Sequence, residues 1–156
     1  ERNLLASSLQ ADLFNRCLDD RLRSGEFGKI VPGDLVQRLP VGAQFVATEP
    51  AALEVDLAGR AITATGPLYG PRMRWPEGEP LATEQRILAA ASLTADDFRR
   101  FGRMARGGRR PYWVWPADVA CAAHPEGVEI SFTLPAGAYA TCLVREIAKS
   151  WAKPNL

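Results

Sequence analysis

The sequence predicts an α+β chain of mixed helices and antiparallel strands, an insertion-type α+β domain followed by a β-hairpin and a closing helix. Three observations predict it. Apolar residues recur near a four-residue step at both ends of the chain, period-two alternation appears between Pro- and Gly-rich breakers, and helical patterning returns after the first strands.

The first helix is expected from near Leu4 to Arg23, with Leu5, Leu9, Leu13, Cys17, Leu18 and Leu22 on one face, Asn3 as its cap and Gly25 at its end. Pro32 and Gly33 punctuate a switch to β patterning over Leu35 to Leu39 and Ala43 to Thr48, joined through Pro40-Val41-Gly42 as a hairpin. A short helix is expected from Pro50 to Ala58, then a strand from Ala61 to Thr65 that ends at a structured Pro/Gly loop, Gly66 to Pro71. Helical character resumes over Leu81 to Ala91. Thr94 and Asp97 resemble a capping box for a further helix bearing Phe98 and Phe101.

An aromatic-rich strand is expected between Pro111 and Ala123. Its partner alternates Val128, Ile130, Phe132 and Leu134 with Glu129, Ser131 and Thr133, so one face is expected to be buried. His124-Pro125-Glu126-Gly127 supplies the turn. Tyr139, Leu143, Ile147 and Trp151 stand four residues apart and mark one stripe of a closing helix. The reading therefore divides the chain at 1–110 and 111–156. Two strands and a helix bury too little apolar surface to stand alone, so the second part is expected to dock on the body or complete another sheet.

Length and composition limit the functions available. At 156 residues the chain can hold one core, or a domain and a piece of another, which excludes a large multidomain enzyme. No run of about 18 apolar residues is present to span a bilayer, and the first residues lack the pattern of a signal peptide. The chain opens on a helix with no initiator Met, so further sequence upstream is expected. Cys17, Cys121 and Cys142 are dispersed and His124 is the single histidine, a set that supports neither a disulfide framework nor a zinc site. The cysteines are expected to be small buried hydrophobes in a reducing cytoplasm.

A net charge of +1 conceals a basic stretch. Arg99, Arg100, Arg103, Arg106, Arg109 and Arg110 follow one another with no acid among them, broken by Gly102, Gly107 and Gly108. Guanidinium forks match phosphate geometry, and Tyr112, Trp113 and Trp115 come next, where aromatics could stack on unpaired bases. The same residues also suit a solvated helix end followed by a core strand.

The segment Leu134 to Ile147, LPAGAYATCLVREI, reads as a strand end, a Pro-Gly turn and an amphipathic helix, with Gly137 permitting the turn and Tyr139 available as a core aromatic. It resembles the C-terminal motif L-P-x-G-[SA]-[FY]-A-T, followed by R-E, of the tRNA pseudouridine synthase D (TruD) family. SSLQADLFN from Ser7 to Asn15, ATGPLYGP ending at Pro71 and GGRRPYWVWP ending at Pro116 resemble further family segments in the same order.

The resemblance covers roughly Leu5 to Lys149. It implies an isomerase that converts a uridine of tRNA to pseudouridine with no metal or organic cofactor, and it makes the 111–156 part the hairpin and helix of the catalytic domain. The base must leave its stack to be reached, which calls for a shaped pocket with an aromatic platform. By motif position, Tyr139 corresponds to the family's pocket aromatic, usually Phe, with Gly137 and Thr141 beside it; Arg145 and Glu146 either serve the pocket or hold the helix by ion pairs.

Gln10, Phe14 and Asn15 fall in a motif that either supports the structure or contacts RNA. The six arginines are the expected tRNA contacts. The family's aspartate lies in a G-x-K-D motif that this sequence lacks; every aspartate, from Asp12 to Asp118, stands in another context, so the chain alone is expected to be inactive and its partners to be tRNA and a missing N-terminal portion. An alternative reading is a non-catalytic RNA-binding module on the same scaffold, and a third is a protein-interaction domain with no role in RNA.

Overall fold

The computed structural model describes residues 2–40 and 42–148, in two compact units that divide between Trp113 and Val114. The first unit opens with α1 (Arg2–Arg23), already under way at Arg2, so Asn3 lies within the helix and does not cap it. Gly25, at φ +73°, turns the chain out of the helix and donates its N–H to Leu22 O at 3.2 Å. The buried stripe of α1 runs through Ala6, Gln10, Leu13, Phe14, Cys17 and Arg21, while Leu5 and Leu22 are exposed. The expected four-residue stripe is corrected for two reasons. A helix turns every 3.6 residues, so the buried line drifts off a strict four-step; the fold also offers Gln10 and Arg21 buried polar partners.

The sheet has the order β2-β1-β3-β4 and is antiparallel throughout. β1 (Leu35–Arg38) and β2 (Gln44–Val46) form the expected hairpin, with Val36 opposite Phe45. A 3₁₀ turn (Pro50–Leu53) and α2 (Glu54–Ala58) lead into β3 (Ile62–Leu68), which pairs with both β1 and β4 (Gly108–Pro111). β3 continues through Gly66 and Pro67, residues that their composition had placed in a loop. Pairing with Arg110 and Arg109 of β4 overrides the local turn preference.

After β3, α3 (Gly78–Ala90) starts ahead of the expected Leu81. Thr94 and Asp97 do form a reciprocal capping box, with the Thr94 N–H donating to Asp97 Oδ2 at 2.7 Å. The capped segment, Ala95–Ala105, is 3₁₀ rather than α and is broken at Gly102 (φ 59°, ψ −129°). The main core joins Leu13 and Cys17 of α1 to Tyr69, Met73, Ile87, Leu88 and Phe98, and a smaller one gathers Ile30, Val36, Ala47 and Ile62.

The second unit contains β5 (Ala117–His124), β6 (Gly127–Thr133) and α4 (Ala140–Ala148). The hairpin closes with His124 opposite Gly127, as expected. The single strand expected over Pro111 to Ala123 is two strands in different units, with Tyr112, Trp113 and Trp115 between them. Pro111 pairs with Thr65 and the Tyr112 N–H donates to Ala64 O at 3.0 Å, which ties both residues to the first compact unit.

Val128 and Ile130 are exposed rather than buried, as are Cys121 and Cys142; only Cys17 is the buried hydrophobe expected. A two-stranded ribbon has no second layer of its own to cover either face. Trp151 lies outside the described residues. No described helix is long and apolar enough to cross a membrane.

Candidate nucleic-acid interface

The segments singled out in the N-terminal part of the sequence meet where α1 crosses β3 and β4. Gln10 Nε2 donates to Tyr69 O at 2.7 Å, tying the helix to the end of β3. Phe14 stacks on Tyr112 with ring centroids 5.6 Å apart. Gly66 makes that stack possible: a Cβ there would lie 2.5 Å from Tyr112 Cε1 and 2.8 Å from Phe14 Cε2. The guanidinium of Arg110 sits over Phe14 at 5.1 Å and that of Arg21 over Tyr112 at 5.2 Å, so the two rings lie between two cations. Gln10 and Phe14 thus serve the packing, and Asn15, their neighbour in the motif, faces solvent.

Two buried ion pairs flank this junction, and neither was read from the sequence. Arg21 forks onto Asp34 at 2.8 and 2.6 Å and donates to Lys29 O at 2.7 Å, locking the turn before β1 against α1. Arg109 forks onto Glu84 of α3 at 2.8 and 2.7 Å and also donates to the Thr65 hydroxyl at 3.1 Å. Burial pushes the Glu84 carboxyl above its usual range, with the Arg109 hydrogen bonds and charge opposing the shift. Burial likewise pushes the Cys17 thiol up to about 12, while its contact with the Tyr69 hydroxyl pulls the other way.

One sequence signal was available for these pairs. Glu84 stands on the same helical face as Ile87 and Leu88, a position where a lone acid needs a partner. Its partner, Arg109, is distant in sequence, and only the fold brings the two together.

The arginine run is accordingly divided. The Arg109 side chain is 1% exposed, so its guanidinium is committed to Glu84 and leaves the set of expected RNA contacts. Adjacent residues on a strand face opposite ways, which separates Arg109 from Arg110. Arg99 pairs with Asp96 at 2.9 Å, and Arg100 lies over the Phe101 ring at 5.4 Å. Arg103 and Arg106 are exposed, with no ion-pair partner among the described residues.

A cleft of about 690 Å³ borders this junction beside α1 and the start of α3, reaching Tyr112 and Glu84, and is lined by Asp20, Glu26, Glu77 and Glu79 as well as the Arg21–Asp34 pair. Its charge repels a polyanion. Among the described residues no group of three or more His, Cys, Asp or Glu could hold a metal.

In the second unit Gly137, at φ +86°, turns the chain between β6 and α4. Tyr139 follows just before α4 and is 65% exposed; Thr141 and Arg145 lie on α4 and are also exposed.

These features define an α+β protein with exposed arginines before β4 and a hairpin-helix unit that carries an exposed tyrosine. Comparison with known proteins makes the class specific. The model of one family, tRNA pseudouridine synthase D (TruD), matches residues 2–147, and the chain belongs to that family of tRNA-modifying isomerases.

Proteins named tRNA pseudouridine synthase D from Geotalea daltonii and Thermus thermophilus are 41% and 37% identical over 150 and 155 residues, covering 96% and 99% of this chain but 37% and 42% of their own lengths. A crystal structure from Methanosarcina mazei, described as a TruD, shares the fold with a TM-score of 0.72 at 24% identity, over 96% of this chain and 39% of that one. The chain spans about two fifths of the length of the relatives it matches.

Proposed function

We propose that this chain supplies the tRNA-contacting body and one wall of the uracil pocket of a cytoplasmic enzyme that isomerises a uridine of tRNA to pseudouridine. The catalytic aspartate comes from residues outside these 156, and no metal or organic cofactor takes part. The first unit corresponds to the insertion domain, and the hairpin with α4 to part of the catalytic domain, where the exposed Val128 and Ile130 pack on the remainder of that domain.

The observation that carries the reading is the exposure of Tyr139. Tyr139 stands at the turn set by Gly137 and at the motif position of the family's pocket aromatic, where its exposed ring offers a flat surface on which a flipped-out base can pack. Thr141 follows on the same helix end, and the exposed Arg103 and Arg106 supply charge for the phosphate backbone.

The test joins the chain to an upstream segment carrying a G-x-K-D motif and measures pseudouridine in an unmodified tRNA transcript by nuclease digestion and mass spectrometry. The chain alone is expected to form none. The joined protein is expected to form it and to lose that activity on Tyr139→Ala while still binding tRNA. Activity from the chain alone, or an active Tyr139→Ala protein, would refute the assignment; binding without activity in the joined protein would instead indicate a non-catalytic RNA-binding module.

A further inference from the structure

Sequence reading finds basic residues where they cluster along the chain, and Arg72 does not belong to the run. It follows the Tyr69-Gly70-Pro71 turn, far from Arg106 in sequence. The fold brings the two together: the Arg72 N–H donates to Arg106 O at 2.8 Å. Covalent geometry then keeps their Cα atoms within about 7 Å of each other.

A glycine pair enforces the approach. A Cβ on Gly70 would come within 2.3 Å of Gly107 N and 2.4 Å of Ala105 O, and one on Gly107 (φ +90°) within 2.7 Å of Gly70 O. Two backbones can touch this closely only where neither residue has a side chain.

Both arginines are exposed, and neither has an ion-pair partner among the described residues. Arg74, two residues on, differs: its Nη1 is held by Gln44 O at 2.6 Å. Two cations pinned at neighbouring backbone positions repel each other unless an anion lies between or beside them. Anchored at adjoining backbone positions, the two side chains are within reach of the closely spaced phosphates of one nucleic-acid strand.

We propose that Arg72 and Arg106, set side by side by the Gly70–Gly107 contact, form a phosphate-binding subsite for the RNA backbone. The inference rests on the RNA-binding reading above and adds Arg72 to it. Arg109 sits one strand position beyond Gly108 and is turned inward, so Arg72 supplies at this edge the second surface cation that Arg109 does not.

The test measures the affinity of the chain for an unmodified tRNA transcript by fluorescence anisotropy across a potassium chloride series. Arg72→Gln and Arg106→Gln are each expected to weaken binding roughly threefold or more at fixed salt and to flatten the slope of log affinity against log salt by about 1. Arg72→Lys keeps the charge and is expected to keep the slope. Arg86→Gln, at a cation already paired with Asp20, is expected to leave both unchanged.

Equal far-UV circular dichroism and melting temperature show that the exposed substitutions spare the fold. If Arg103→Gln and Arg106→Gln flatten the slope while Arg72→Gln leaves it at the parental value, the subsite is overturned and RNA binding by the run survives. If none of the three substitutions changes affinity or slope, the RNA-binding reading itself falls, and the subsite with it.

Discussion

Arg109→Met tests the division of the arginine run most directly. The substitution keeps the bulk of the side chain and removes the fork that meets Glu84 at 2.8 and 2.7 Å, in a pair whose side chains are 1% and 3% exposed. It leaves a buried carboxylate with no cation, a change that costs about 3–5 kcal/mol. Against a typical domain stability of about 5–15 kcal/mol, that is about a fifth of the total or more. An arginine lying on the surface to meet RNA would cost no more than about 1 kcal/mol.

The pH dependence carries a sign. Burial already raises the Glu84 carboxyl above its ordinary 4.5, and loss of Arg109 removes the main opposing influence, so the folded variant binds that proton more tightly than the unfolded chain does. Stability linked to this group is then greatest below the unfolded value and falls as pH rises through the folded one. Urea unfolding followed by tryptophan fluorescence should therefore show a smaller penalty near about pH 5 than near about pH 8. Arg109→Met with Glu84→Leu should recover much of the loss by removing both charges. A penalty under about 1 kcal/mol near pH 8, or an equal penalty at both pH values, would show that Glu84 is solvated and that the pair does not hold α3 to β4.

Two other expectations rest on the packing. Gly66→Ala places a Cβ 2.5 Å from the Tyr112 ring, and should destabilise the chain by about 1–3 kcal/mol and alter the near-UV circular dichroism of the stacked pair; an unchanged spectrum and midpoint would refute the close contact. Iodoacetamide at mildly alkaline pH should label Cys121 and Cys142, which are exposed, well before Cys17, whose thiol is buried and pushed up to about 12; mass spectrometry showing Cys17 labelled at a similar rate would contradict its burial.

The local elements were legible because their signals are local. The Thr94–Asp97 box, the Gly25 stop, the β1–β2 hairpin and the turn closed by His124 and Gly127 each depend on residues a few positions apart. The family was legible for a similar reason, since ordered motifs are read without knowing what they touch. Errors arose where a distant partner decides. Gly66 and Pro67 look like a loop until β4 pairs with them, and Leu5 looks buried until Gln10 finds the Tyr69 carbonyl.

Of the candidate site, the sequence by itself determined which residue types are present: a run of arginines between residues 99 and 110, an aromatic after a glycine turn, and no G-x-K-D aspartate. Tertiary structure decided which of them are available. The Arg109 side chain is inside because its place on β4 and the buried acid of α3 hold it there, Arg106 lies outside just before that strand, and Arg72 comes beside it because two glycines let remote backbones touch. The physical reason is range: propensity and periodicity act over a few residues, whereas burial and charge pairing are settled by whatever the fold brings within a few ångströms.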